Sequence, residues 1–199
     1  MIMLKKILLV SSLVLVVFSQ IGKSEERSGA YMKQLADIEK DMCVAESFMD
    51  LVMAGPFAEF TARLLYRTDL RSFLGEGMTE DAFVENMRKE VIAQRPEKAE
   101  PFTMCEMKSE PVACEDTYKG IADAGGPSGI AEGDTVTVDD VADVFKVLGI
   151  TDCALMHGRA HVEGEDAPML GTFYAGMING KLNIFYLVTE KESTKDNKE

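Results

Sequence analysis

The sequence CALMHGRAHVEGEDAPMLGTFYAGMINGKLNIFYLVTE, residues 153–190, decides the fold of this chain. It holds three strand-like runs separated by turn residues: Cys153–Glu163, Met169–Ile178 and Lys181–Glu190. Asn179-Gly180 is a strong hairpin signal, because both central residues of a type I′ turn need positive φ. The stretch therefore predicts an antiparallel meander, whose third strand, apolar on both faces, should be central or covered.

The residues before this meander have the periodicity of helices. An apolar stripe with alternating steps of three and four predicts a helix over Leu35–Val52, which Gly55-Pro56 ends. A second helix is predicted over Phe57–Tyr66, and Thr79 caps a third helix that ends before Pro96. The first half of the chain is therefore predicted to be helical.

The segment between the two halves gives weaker signals. Phe102–Met107 alternates apolar and polar residues and predicts a first strand, and Val112–Thr117 predicts a second. Residues 120–133, which include GGPSG, are predicted to form a surface loop. A short helix follows, capped by Thr137 with Asp140 as its capping-box partner and closed by Gly149.

This order of elements predicts an α+β fold, with N-terminal helices packed on a C-terminal curved antiparallel sheet. The elements that carry a resemblance are the helix stripe Leu35–Val52, the helix start at Met78-Thr79, and the meander over Leu148–Val162 and Thr172–Leu187. In this order the chain resembles the cystatin-like cone of the nuclear-transport-factor-two and polyketide-cyclase-like superfamily. The resemblance implies a cavity between sheet and helices that binds apolar ligands. The His–Asp pair of cyclase-like members has no matching acid here.

The composition is that of a globular protein and limits its partners. The chain has 199 residues, which is enough for one domain, and 46 % of them are hydrophobic, which is enough for a sizeable core. Lys and Arg number 21 and Asp and Glu 34, which gives a formal net charge of −13. Nucleic acid and anionic lipid repel such a surface, so we expect neither as a partner.

The N-terminus has the layout of a secretory signal peptide. Lys5 and Lys6 precede an apolar run, Ile7–Phe18, which is shorter than the roughly 20 residues of a membrane span. We place the cleavage after Ser19, with later small residues at 22 and 24 as alternatives and an uncleaved anchor as the other interpretation. The mature protein would then be periplasmic or extracellular, without a stable membrane span.

The predicted organisation follows from these boundaries. We expect a signal peptide over 1–19, a flexible start over 20–30, a single α+β domain over 31–190 and a charged, disordered tail over 191–199.

The mature chain keeps four cysteines, an even number that suggests disulfides in an exported protein. We predict a Cys105–Cys114 bond that closes a short loop. Cys43 and Cys153 would then form a second, long-range pair or remain two buried thiols. The other interpretation is that all four are reduced core residues.

Both histidines of the chain lie on the first strand of the meander. Because side chains alternate between the faces of a strand, His157, Arg159 and His161 share one face. The two histidine Cα atoms lie about 13 Å apart, too far to bind one zinc ion together. They are candidate catalytic residues if a neighbour such as Tyr174 or Tyr186 completes a pocket; otherwise they lie on the solvated face of the sheet.

The sequence carries no catalytic, phosphate-binding or calcium-binding motif, and it predicts no metal and no cofactor. We therefore predict an exported binding or interaction domain for a small apolar ligand or another exported protein. The acidic surface adds a chaperone-like or inhibitory role toward such a protein. The alternative is a hydrolase, isomerase or cyclase that uses His157 or His161 in an apolar pocket.

The predicted signal peptide can be tested by the N-terminus of the mature protein. Mass spectrometry of protein made in its native host should find a chain that starts near Gln20, because cleavage after Ser19 satisfies the small-x-small rule. Recovery of intact Met1 in a membrane pellet would contradict it.

Overall fold

The computed structural model describes residues 29–53, 55–68, 77–93, 101–126, 135–163 and 168–191. The predicted signal peptide and residues 192–199 of the predicted tail lie outside the described residues, as do 127–134 of the predicted loop. The chain divides into two compact units, Met1–Asp37 and Ile38–Glu199. In the first unit, residues 29–37 are helical. The second unit holds the sheet and all other elements.

The second unit combines helices with one four-stranded sheet. Helix α1 covers residues 29–42, and its residues from 38 onward belong to this unit. The other helices are α2 (Ala45–Met53), α3 (Pro56–Tyr66), α4 (Glu80–Ala93), α5 (Cys114–Asp123) and α6 (Val138–Leu148). The strands are β1 (Phe102–Pro111), β2 (Thr151–Val162), β3 (Met169–Ile178) and β4 (Lys181–Lys191). They pair antiparallel in the order β1-β2-β3-β4, so the protein has the predicted α+β fold.

The local signals of the second half are confirmed. Asn179 and Gly180 have φ values of 52° and 78°, as the type I′ hairpin between β3 and β4 requires. The Thr137 hydroxyl accepts from the Asp140 amide at 3.2 Å, and the Asp140 carboxylate accepts from the Thr137 amide at 2.9 Å. This capping box begins α6, and Gly149 ends the helix as predicted.

Four features differ from the prediction. The single helix over Leu35–Val52 is interrupted at residues 43–44, between α1 and α2. The strand predicted over Val112–Thr117 is wrong, because that segment leads into α5, whose first turn places Glu115 and Asp116 at the positive end of the helix dipole. The first residues of the predicted loop over 120–133 therefore belong to α5. Lys191, predicted to begin the tail, is the last residue of β4.

Both disulfides exist, but their connectivity corrects the predicted one. The bonds are Cys43–Cys105 and Cys114–Cys153, with Cα–Cα distances of 5.5 and 5.2 Å. The Cys105–Cys114 pair is wrong because β1 continues to Pro111 instead of turning back. Six extended residues separate Cys105 from Pro111 by about 20 Å, far beyond the roughly 6 Å that a disulfide spans. The interpretation with four reduced thiols is wrong as well, since none of the cysteines is free.

The two faces of the sheet pack against different helices. On one, which we call the α5 face, Tyr174 and Tyr186 share a core cluster with Ile121 of α5 and Phe145 of α6. The other, which we call the cleft face, carries Phe173, whose ring contacts Phe48 of α2, and the side chains that alternate with the α5-face residues. The apolar third strand of the meander, β4, is covered as predicted: Leu182 and residues 184–186 are buried.

A network of ion pairs joins α3 to α4. The Arg63 guanidinium lies 2.9 Å from carboxylate oxygens of both Glu59 and Glu80, and Arg67 lies 2.9 Å from the same Glu80 oxygen. Burial of the Glu80 carboxyl opposes its ionisation, but the hydrogen bonds from Arg63 and Arg67 outweigh that effect and lower its pKa. The network fixes α4 beside the core formed by Ala62, Leu65, Phe83 and Val84.

The disulfide connectivity predicts a stability loss. Replacing Cys43 and Cys105 together by serine should lower the free energy of unfolding by about 4 kcal/mol, because the bond closes a loop of 62 residues in the unfolded chain. Urea denaturation measures the loss. A peptide map of unreduced protein that links Cys105 to Cys114 would contradict the connectivity itself.

The Glu80 network predicts an acid dependence. A lowered folded-state pKa stabilises the fold at pH values above the unfolded pKa of about 4.3, and this contribution disappears as the pH falls through the folded pKa. The Glu80→Gln variant should therefore be less stable than the wild type at pH 7, by about 1–2 kcal/mol, and the difference should shrink toward pH 2. Urea midpoints across this range test it; a difference that stays constant down to pH 2 would refute it.

Candidate functional site

An apolar cleft lies on the cleft face, beside Met42 of α1 and Phe48 of α2. Its volume is about 30 Å³. Phe48 contacts Phe102 and Phe173 edge to face, with ring centroids 5.6 and 6.1 Å apart. The cleft is lined by Met42, Phe48, Phe102, Cys105, Met107, Gly158, Ala160, Met169, Leu170, Gly171 and Phe173. Because these are apolar residues and a disulfide sulfur, the cleft can accept an apolar group but offers no acid or base.

A pair of glycines forms the floor of the cleft. Gly158 of β2 lies directly opposite Gly171 of β3. A Cβ atom on Gly171 would lie 2.6 Å from the Phe173 ring, and one on Gly158 would overlap the Met107 sulfur. The glycines thus allow Met107 and Phe173 to lie flat across the sheet. A glycine inside a strand often marks a close approach of another group, so the sequence carries a signal for this floor that the predicted site missed.

The outer edge of β1 borders the cleft. β1 is the first strand in the sheet order, so among the residues that the structure describes β2 is its single neighbour within the sheet. The Ser109 amide and hydroxyl both donate to the Glu39 carboxylate, at 2.8 and 2.6 Å, so this amide points away from β2. In an antiparallel strand every second residue directs its amide and carbonyl the same way. Because the register is regular from Met104 to Pro111, the backbone groups of Cys105 and Met107 also point outward.

A broad, open groove of about 600 Å³ runs along this edge. We call it the edge groove; it is lined by Glu39, Lys40, Cys43, Cys105, Glu106, Met107 and Lys108. Cys105 and Met107 line both the cleft and the edge groove. The two spaces therefore form one candidate site, apolar on the sheet side and polar along the strand edge.

The predicted histidines lie away from this site. His157 and His161 alternate with Gly158 and Ala160 along β2, so they are on the opposite side of the sheet from the cleft. His157 Nδ1 lies 3.2 Å from the Thr172 hydroxyl, and His161 Nδ1 lies 3.2 Å from the Thr103 hydroxyl. Their assignment to a different face from Gly158 and Ala160 is confirmed, and His157 is exposed, as is Arg159 between the two histidines.

Tyr174, the predicted neighbour of the histidines, lies in the core. It is buried on the α5 face, and a Cβ on Gly120 of α5 would lie 2.8 Å from its hydroxyl. Burial, with a contribution from the Asp123 charge, raises the pKa of Tyr174. Burial, with a contribution from Tyr174, raises the pKa of Tyr186 to about 12. Both phenols are therefore protonated at neutral pH and act as core residues.

Two further properties of the described residues bear on ligands. Within them, no three or more His, Cys, Asp or Glu side chains are grouped closely enough to hold a metal ion. None of the helices in the described ranges combines the length and apolar character needed to cross a membrane.

Compared with protein-family models, curated proteins and solved structures, the chain matches none of them. The resemblance to the cystatin-like superfamily therefore stays a prediction based on the order of the elements.

Proposed function

We propose that the chain is an exported binding domain that holds an apolar side chain of a partner protein in the cleft of the cleft face. The observation that carries this proposal is the position of the cleft. A space lined by Met and Phe side chains adjoins a strand edge whose backbone groups point outward. Such an arrangement offers a partner apolar contact and backbone hydrogen bonds at one place.

The size of the cleft favours a side chain over a separate small molecule. Its volume of about 30 Å³ accommodates one or two methyl groups, whereas pockets for small molecules measure roughly 300–1,000 Å³. Met42, Met107 and Met169 line it, and methionine side chains adapt to different apolar shapes. The sequence suggests two kinds of partner, a small apolar ligand and another exported protein, and the small size of the cleft favours the protein.

The disulfides support the exported location. Bonds between Cys43 and Cys105 and between Cys114 and Cys153 persist in oxidising compartments, such as the periplasm and the extracellular space. The enzyme alternative gains no support from the site, because His157 and His161 lie across the sheet from the cleft.

The proposal predicts specific contacts for an apolar probe. In protein with ¹³C-labelled methionine methyl groups, N-acetyl-leucinamide should cause saturable shifts of Met42, Met107 and Met169 in the millimolar range. Met32 and Met78, which are exposed and do not line the cleft, should not shift. Shifts of equal size at all methionines would contradict a specific cleft.

A matched pair of glycine variants supplies the control. Gly171→Ala forces the Phe173 ring to move, and we expect it to weaken probe binding about fivefold or more, roughly 1 kcal/mol. Gly29→Ala meets no atom within 4 Å and should leave binding unchanged.

A further inference from the structure

The edge of β1 offers hydrogen bonds only over a short, defined stretch. The outward backbone groups of Cys105 and Met107 border the edge groove, whereas the outward amide of Ser109 is occupied by Glu39. An extended peptide can therefore pair with Cys105 and Met107 but cannot continue past Met107 toward Ser109. Glu39 thus determines where an added strand must end.

The edge groove also carries a charge preference. It holds two lysines, Lys40 and Lys108, and neither forms an ion pair within the described part of the chain. Of its two acids, Glu39 is engaged by Ser109, and Glu106 lies opposite Arg159 in the sheet register. The groove as a whole is charge-balanced, with two lysines and two glutamates, but a partner residue directly opposite the exposed Lys108 on an added strand is favoured as a carboxylate, because opposite charges across a strand pair attract.

A second copy of this chain fits the edge poorly. If two β1 strands paired antiparallel about Met107, the Cys105 of one copy would lie opposite the Ser109 of the other. The Ser109 amide that such pairing needs already donates to Glu39 at 2.8 Å. The carboxylate would have to leave both the amide and the hydroxyl of Ser109, so Glu39 protects the edge against self-pairing.

We propose that the partner segment binds as a fifth strand on β1, pairing its backbone with Cys105 and Met107 and placing a carboxylate opposite Lys108. This inference rests on the proposed function and specifies its ligand, an extended peptide in which an acidic residue precedes an apolar one. Antiparallel pairing puts the apolar side chain on the same side of the sheet as Met107, next to the cleft, and the preceding acidic residue opposite Lys108.

The test uses the full chain and the capped peptide Ac-Glu-Leu-Thr-Leu-Thr-NH2, with its two leucines opposite Met107 and Cys105. In antiparallel pairing the leucine amides point toward β1 and the amide of the central threonine points away. N-methylation of both leucines should weaken binding about tenfold or more, because it removes two N–H donors. N-methylation of the central threonine is the matched control and should leave the affinity nearly unchanged.

Two further measurements examine the groove itself. Replacing the peptide glutamate by lysine should weaken binding about threefold to fivefold at low salt, and the exposed-site variant Lys108→Glu should reverse this preference. Hydrogen exchange of the Cys105 and Met107 amides should slow when the peptide binds, since these donors then pair with it. Exchange of the Ser109 amide should not change.

Three outcomes would contradict strand addition, and each has a different meaning. Equal binding of the two N-methylated peptides would mean that no strand is added. Failure of every peptide to bind, while N-acetyl-leucinamide still shifts Met107, would refute strand addition but leave the proposed function intact. Protection of the Cys105 and Met107 amides that grows with protein concentration, without peptide, would show that the occupant is a second copy.

Discussion

The structure depends on how β1 is held at the edge of the sheet. A strand with one neighbour has half the backbone pairing of a central strand, and in the described ranges β1 is joined by ladder hydrogen bonds to β2 alone. Three tethers compensate. The Cys43–Cys105 disulfide and the Glu39 carboxylate fix its middle to the helical layer, and the Cys114–Cys153 bond ties the residues just after its end to β2. Without these tethers the cleft would lose one wall, because Cys105 and Met107 belong to β1.

The elements that the sequence predicted well are those whose signals are local. The hairpin at Asn179-Gly180 and the capping box of Thr137 and Asp140 involve residues at most three positions apart, and both are present. Alternation also predicts that His157, Arg159 and His161 share one face of β2, although Leu155 on that same face packs against the core cluster. The helix over Cys114–Asp123 was predicted wrongly. Its inward residues Cys114, Thr117, Tyr118 and Ile121 have helical spacing, but a segment this short is easily mistaken for a strand.

The disulfide connectivity and the position of the cleft depend on pairs of distant residues, which local sequence patterns do not reveal. Cys43 and Cys105 are 62 residues apart, and four cysteines permit three connectivities that no local pattern distinguishes. The cleft needs Gly158 opposite Gly171, which depends on the register of β2 against β3. A single glycine inside a strand lowers the stability of that strand. Together, the two glycines leave the space into which Met107 and Phe173 extend.

Because β1 is held rigidly, it loses little conformational entropy when a partner strand binds to its edge. A peptide that adds as a strand loses backbone entropy of about 1–2 kcal/mol per ordered residue, and a few edge hydrogen bonds contribute only about 1 kcal/mol each. Such a short interaction can be favourable only if the receptor strand loses little freedom of its own. The disulfide at Cys105 and the Glu39 contact at Ser109 provide this, because they order β1 before a partner arrives. The remaining free energy must come from burying the partner's apolar side chain, at roughly 25 cal/mol per Å². The tethers and the cleft are therefore complementary parts of one site, since neither alone provides enough free energy to hold an extended segment.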